Sequence, residues 1–249
     1  MNIYNDFLGN DWSNVNVPFI GGDSEQQFIE NSKKMPADWY YHNVPITYHY
    51  NNYGHRSKNF EDIDQDNYIL FTGCSHTMGV GLELEKTYPH LLSEKLGMDY
   101  YNLSVPATGI DVLEYNLLTW YFKIPKKPKL LVIQWPDHSR FIEYNPLYDH
   151  VMERGTWNTE PNYESFIVNS EESGMFYARK AMSTSLIKTV TKSTPTVNCN
   201  YVKQHQYGFD NLYFSTVDKA RDLSHAGIKS HAKFIDLITH YIEVKGWLK

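Results

Sequence analysis

Three residues in this chain have the types and neighbours that nucleophilic attack on a carbonyl group requires. Ser75 stands in Gly73-Cys74-Ser75-His76-Thr77-Met78-Gly79-Val80-Gly81, where the apolar run from Tyr68 gives way to a glycine-rich turn. Asp222 and His225 lie in one turn, Lys219 to Gly227, ahead of the last helical segment. A serine hydroxyl is a weak nucleophile at neutral pH, so it needs a general base, and the base needs an acid to orient it. The Asp222–His225 turn supplies both. A strand that turns directly into a helix also points backbone N–H groups at the serine oxygen, where they stabilise developing negative charge. The plain alternatives are a helix cap for Ser75 and a surface cap pair for Asp222 and His225. The three together favour chemistry. A literal Gly22-Asp23-Ser24 competes for the role of nucleophile, but Ser24 precedes a helical segment with Gln27 three residues on, which gives it a capping role instead. His76 and His231 read as structural or surface residues.

From residue 68 onward, short apolar runs alternate with longer segments at helical spacing, the pattern of an α/β chain with parallel strands and crossover helices. The strands expected are 68–73, 100–105 and 129–135, with a fourth within 196–204 and a fifth at 211–215. Between the first two, Tyr88, Leu91, Leu92 and Leu96 share one helical face and Gly97 stops it. A second helical stripe spans 110–122, a third helix ends before Pro195, and an amphipathic helix capped by Gly246 closes the chain. Residues 145–172 lose the period and read as an inserted loop that could cover a cleft. Residues 1–66 read as an arm, with a short strand at Ile46, Tyr48 and Tyr50, packed on a main domain of 67–249. In such a sheet ligands sit beyond the carboxyl ends of the strands. Ser75, the turn holding Ala107 and Gly109, and the turn Pro136-Asp137-His138-Ser139-Arg140 all fall there.

These blocks resemble the SGNH (GDSL-type) hydrolases. The first block, GDSxTxGxG, matches Gly73 to Gly81; the second, NxGxPGxG, matches Asn102 to Gly109; the last, DxxHxxxxGH, matches Asp222 to His231. Asn51-x-x-Gly54-His55-Arg56 is similar to the NxxGFR lead-in of some bacterial and phage members. The resemblance implies a three-layer flavodoxin-like fold of about five parallel strands and a serine esterase, acylhydrolase or O-acyl transferase. Its substrate would be a small acyl ester, including O-acetylated carbohydrate. Ser75 would attack, His225 would act as base and Asp222 would orient it. The backbone N–H groups of Ser75 and of Ala107 or Gly109 would bind the oxyanion. The chain departs from the pattern at Cys74, which replaces an aspartate, and at Ala107, which replaces a glycine. It departs most at Trp135-Pro136-Asp137-His138, where the family has GxND. An ionised Asp137 only accepts hydrogen bonds, so His138 or Arg140 would take over as donor, or the site would keep binding without hydrolysis.

Composition narrows the field further. The net charge is -6, and no basic run exceeds two residues, as at Lys33-Lys34 and Lys126-Lys127, so no nucleic-acid footprint is expected. Two cysteines without a CxxC pair argue against a disulfide framework or a cysteine-rich zinc site. Neither GK[ST], HExxH nor H-x₃-H occurs, so no cofactor or metal is expected. The sequence has no basic-then-apolar leader and no run near the roughly 18 apolar residues of a membrane span. The expectation is a soluble protein acting on a small-molecule or carbohydrate ester. The rival is a non-catalytic carbohydrate-binding or structural protein on the same fold.

Overall fold

The computed structural model describes residues 7–8, 12–145, 150–203 and 212–247. Its centre is a parallel sheet whose strands alternate cleanly between two apolar layers. Strand β3 (Tyr68–Thr72) is buried throughout, and on one face Tyr68 and Leu70 meet the helix α4 (Ile110–Lys123) through Leu113, Leu117 and Trp120. On the other face Ile69 and Phe71 meet α3 (Tyr88–Leu96) and α7 (Ile228–Lys245) through Tyr88, Leu92, Phe234 and Ile238. The next long strand, β5 (Leu130–Trp135), divides likewise: Leu131, Ile133 and Trp135 go to the first layer, Leu130 and Val132 to the second. Period-2 alternation in strands buried on both sides produces a three-layer α/β sandwich.

With β4 (Asp99–Asn102), β8 (Thr196–Asn200) and β9 (Leu212–Tyr213), the sheet runs β4-β3-β5-β8-β9, all parallel. This is the doubly wound flavodoxin-like order, in which the chain first steps to one side of β3 and then crosses to the other. The reversal leaves a crevice at the carboxyl ends of β3 and β5. The fifth strand is shorter than the expected 211–215, and both Asn211 and the tail of the fourth, Gln204, lie outside the described residues.

Two elements differ from expectation. In the segment 145–172 expected to be an inserted loop, β7 (His150–Arg154) pairs antiparallel with β6 (Phe141–Asn145), a strand that begins ahead of that segment, and α5 (Pro161–Glu172) follows with Pro161 in its first turn. Helix α5 packs on α6 (Met175–Val190) and, through Tyr163 and Phe166, on Phe141 of β6. Ser170 is its one buried residue, and its short stripe of Tyr163, Phe166 and Ile167 stays half exposed while Phe166 meets Phe141 and Phe176. Residues 146–149 of this region are outside the described set.

The N-terminal segment builds a third core around the site. Strands β1 (Asn16–Val17) and β2 (Tyr48–His49) pair antiparallel, and Ser24 Oγ caps α1 (Glu25–Lys34) by accepting from Gln27 N at 3.2 Å. Tyr48, Tyr50 and Ile46 pack with Met78, Val80 and Leu82 of the Ser75 loop. Arg56 is buried beneath that loop and donates to the carbonyls of Gly79 at 2.7 Å, Leu82 at 2.8 Å and Met78 at 3.3 Å, with its guanidinium 4.5 Å from the Tyr48 ring centre. Arg56→Met would leave the Met78 and Leu82 carbonyls without this donor, each costing about 1 kcal/mol or more when unpaired, while the Gly79 carbonyl keeps the Leu82 N–H at 3.3 Å. A loss on the order of 2 kcal/mol is expected in urea unfolding, with Arg56→Lys recovering part of it.

Candidate active site

The turn that carries Ser75 depends on a glycine. Gly73 leaves β3 so close to its neighbours that a Cβ there would stand 2.2 Å from Thr77 Oγ1 and 2.9 Å from the Gln134 carbonyl. Thr77 Oγ1 donates to Gln134 Oε1 at 2.7 Å and receives Tyr88 Oη at 2.9 Å, while Asn102 Nδ2 donates to the Thr77 carbonyl at 3.1 Å. Helix α2 (Ser75–Met78) is therefore pinned to β5, α3 and β4 over a single turn, and it ends at Gly79 with φ +80°. Ser75 occupies its first position, where a backbone N–H has no intrahelical acceptor.

Across the cleft, Asp222 and His225 sit in a loop that carries no strand or helix of its own. His225 Nε2 lies 2.8 Å from Ser75 Oγ, and its Nδ1 bonds Asp222 Oδ2. Asp222 Oδ1 also accepts from the backbone N–H of His225 at 3.1 Å and of Ser224 at 3.2 Å, and Oδ2 accepts from Ser224 Oγ. Burial works to raise the Asp222 carboxyl, but the bonds and charge of His225 and the Ser224 hydroxyl outweigh it and hold the group below the usual carboxylate range. Ser75, 150 residues from His225, thus joins the Asp222–His225 turn in one continuous hydrogen-bonded chain.

What fixes this loop comes from the N-terminal segment. Arg221 and Asp23 are almost fully buried and paired two ways: Nε to both carboxylate oxygens at 3.0 and 3.1 Å, and Nη2 to Oδ2 at 2.7 Å. Tyr48 Oη donates to the same carboxylate at 2.5 Å and accepts from Gly81 N at 2.8 Å. Arg221 N donates to the Gly81 carbonyl at 3.0 Å, Asn31 Nδ2 to the Arg221 carbonyl at 3.2 Å, and Gln27 Nε2 to the Asp222 carbonyl at 3.0 Å. Asp23, the acid of the literal Gly22-Asp23-Ser24, thus braces the loop that holds Asp222 and His225. The isolated Gly-Asp-Ser gave no sign of this, because the partner is 198 residues away.

The remaining candidates separate. Ala107 lines the cleft with Ser75 and His225, and it holds φ +64°, the left-handed region that favours the glycine of the resembled block. Gly109 instead caps α4 and backs onto the chain of Arg140: a Cβ there would meet the Arg140 carbonyl at 2.3 Å. His138 is not among the cleft residues. Its buried ring bonds Glu171 at 3.0 Å and stacks on Phe176 at 5.3 Å, because the hairpin and α5 draw it to that side. Asp137 Oδ1 accepts from Ser139 N and Oγ at 2.9 and 2.7 Å. Arg140 does reach the cleft.

The cleft measures about 350 Å³ and is walled by Trp12, Tyr50, Trp157, Ile20 and Val80, with Glu153 and Arg140 as its charged residues. Beneath it, His76 packs against His225 at 4.9 Å and Tyr201 at 4.4 Å. Burial, followed by the neighbouring charges of His225 and His231, drives its ionisation far below the ordinary histidine range. His231, also buried, accepts from Tyr88 N at 2.9 Å. Among the described residues no cluster suited to a metal ion occurs, and no helix is long and apolar enough to cross a membrane.

No protein-family model matches the chain, and no curated protein matches it. Among solved structures it is similar to an acetyl xylan esterase, Est2A, from the rumen bacterium Butyrivibrio proteoclasticus, with 14% identity and a TM-score of 0.42 over 74% of this chain and 65% of that one. It is also similar to a family two carbohydrate esterase from Clostridium thermocellum solved in complex with cellohexaose, with 14% identity and a TM-score of 0.44 over 74% and 66%. A putative lipolytic protein of the G-D-S-L family from Desulfitobacterium hafniense matches with 10% identity and a TM-score of 0.33 over 72% and 74%. The chain spans just under two thirds of the length of the two carbohydrate esterases.

Two outcomes are expected from these interactions. Burial lowers His55 and His231 to about 3 and His76 well below its ordinary value. The native state keeps them neutral while the unfolded chain protonates below about pH 6.5, so unfolding free energy should hold above that pH and fall towards pH 3, by up to ~1.4 kcal/mol per pH unit for each ring. Urea titrations at pH 7.5, 6 and 5 would show the slope, and His55→Gln should reduce it by about one proton's worth. Asp23→Asn should cost about 3 to 5 kcal/mol by stranding the buried Arg221 charge, whereas the double change Asp23→Leu with Arg221→Met should recover most of it. A double-mutant cycle read by thermal melting checks this.

Proposed function

We propose that this protein is a serine esterase, or an O-acyl transferase, acting on a small acyl ester, with an O-acetylated carbohydrate as the leading class. The observation that carries the reading is the unbroken chain from Ser75 Oγ through His225 to the buried Asp222 carboxylate, opening onto a cleft walled by aromatic rings. In this mechanism Ser75 Oγ attacks the ester carbonyl carbon while His225 Nε2 removes its proton. Asp222 stays ionised, fixes the tautomer with Nδ1–H directed at itself, and stabilises the imidazolium. The backbone N–H groups of Ser75 and Ala107 receive the oxyanion, a role in which one donor is worth about 10²- to 10³-fold in rate.

Collapse of the tetrahedral intermediate breaks the C–O bond, and His225 returns the proton to the departing alcohol. Water or an acceptor alcohol then gives its proton to His225 and attacks the acyl-serine, which regenerates Ser75 and yields an acid or a new ester. Which of the two acts is decided by what reaches the cleft. Trp12, Tyr50 and Trp157 offer flat apolar faces of the kind that suit the C–H face of a sugar ring, and Glu153 offers an acceptor for hydroxyls.

The test is turnover of p-nitrophenyl acetate, combined with a serine-directed phosphonate and mass spectrometry. Ser75→Ala should lose activity by about 10³-fold or more and lose the adduct, and Ser24→Ala should retain both. An adduct on Ser24, or activity surviving Ser75→Ala, overturns the assignment. Absence of both turnover and adduct in the unmutated chain would leave a binding protein on a hydrolase-like fold.

A further inference from the structure

We infer that Gly22 sets how bulky an alcohol this site accepts. The turn Ile20-Gly21-Gly22-Asp23 borders the side of the cleft where the alcohol half of the ester stands, and the missing side chain at Gly22 leaves room there for a ring-bearing alcohol. The inference rests on the esterase reading and deepens it, by assigning the alcohol to one wall of the cleft and naming the residue that limits its size.

Ile20, Gly21 and Gly22 line the same cleft as Ser75 and His225. The turn is closed from both ends, Ile20 N donating to the Asp23 carbonyl at 3.2 Å and Asp23 N to the Ile20 carbonyl at 2.9 Å. Two-residue loops of this kind favour turns whose positive φ demands glycine. Neither Gly21 nor Gly22 has a positive φ, so the backbone accepts other residues at both. Crowding does not demand glycine either. A Cβ at Gly21 would have nothing within 4 Å, and one at Gly22 would stand 3.7 Å from His225 Cε1 and 3.8 Å from Val80 Cγ1, ordinary contact distances. Both atoms belong to residues of the cleft wall, so a side chain at Gly22 would take up space beside the base. The turn is anchored there through Asp23, which Arg221 and Tyr48 clasp.

The chemistry says which half of the substrate uses that space. Cε1 is bonded to Nε2, the atom 2.8 Å from Ser75 Oγ that takes the serine proton and hands it to the departing oxygen. While the C–O bond breaks, the leaving oxygen must lie within hydrogen-bond reach of Nε2. Its carbon framework then stands beside the imidazole edge, on ground that a Gly22 side chain would share. The acyl chain has no atom that must approach Nε2. In the second half-reaction the acceptor gives its proton to the same nitrogen and enters by the same route, so room for a bulky leaving alcohol is room for a bulky acceptor as well.

The test uses esters with matched leaving-group chemistry and different bulk, phenyl acetate and 1-naphthyl acetate, with phenyl butyrate to vary the acyl chain instead. The full chain and Gly22→Val are compared by kcat/KM. The unmutated protein should turn over the naphthyl ester about as well as phenyl acetate. Gly22→Val should lower the naphthyl-to-phenyl ratio by about 10- to 100-fold, the worth of a misfitting group in a close pocket, and leave the butyrate-to-acetate ratio unchanged. A Gly22→Val protein that loses both acetates equally overturns the inference, as does one whose loss follows the acyl chain. So does an unmutated protein that consumes phenyl acetate and rejects the naphthyl ester. If Gly22→Val melts early, Gly22→Ala, whose one added carbon fits at contact distance, must lower the same ratio, and an unchanged ratio overturns the inference. If none of the three esters is consumed, the esterase reading itself fails and takes this inference with it, an outcome distinct from any change of ratio.

Discussion

The buried ion pair between Asp23 and Arg221 is the constraint on which the site depends. The loop that presents Asp222 and His225 has no ladder to fix it beyond one bridge, Lys219 to Ala226. A loop of that kind would ordinarily sample many conformations, and holding one costs about 1 to 2 kcal/mol per residue in backbone entropy. Arg221 offsets this from inside: its side chain is clasped by Asp23, its N–H by Gly81 and its carbonyl by Asn31. Because Gly81 belongs to the Ser75 turn and also bonds Tyr48, one network sets the positions of nucleophile and base together.

Glycine placement on the Ser75 side answers the same need by different means. Gly73 lets β3 end against Gln134, and Gly81, at φ +76°, lets the turn pass so near the last loop that a Cβ would stand 2.8 Å from the Ala220 Cβ. Arg56 then ties off the carbonyls that such a tight turn leaves without helical partners. The N-terminal segment thus acts as scaffold for both halves of the site, and two of its aromatics, Trp12 and Tyr50, line the cleft as well.

The sheet edge of the site is where this chain departs from the resembled blocks, and the departures act together. The turn after β5 leads into a hairpin and α5, which draw His138 towards Glu171 and Phe176. Arg140 stays in the cleft as the charged donor, beside Cys74 where the resembled motif has an acid. A carboxylate at position 74 would pair with that guanidinium and occupy its donors. Cysteine at 74 and arginine at 140 are therefore neighbours that tolerate each other without a buried carboxylate between them.

The sequence by itself determined the strand-turn-helix at Ser75, the parallel α/β alternation and the Asp222–His225 pair. Each of these is a local pattern: doubly buried strands read as apolar runs, a glycine-rich turn follows one, and two residues of a single turn are neighbours whatever the rest of the chain does. The capping role of Ser24 was legible for the same reason. Only the tertiary structure decided that Asp23 braces the last loop, that His138 bonds Glu171 while Arg140 lines the cleft, and that residues expected to be a loop form the second strand of a hairpin and a helix. Those outcomes depend on side chains meeting across as many as 198 residues, and on a helix whose short apolar stripe stays half exposed. Buried polar pairing has no periodicity, so it appears only when the chain is folded.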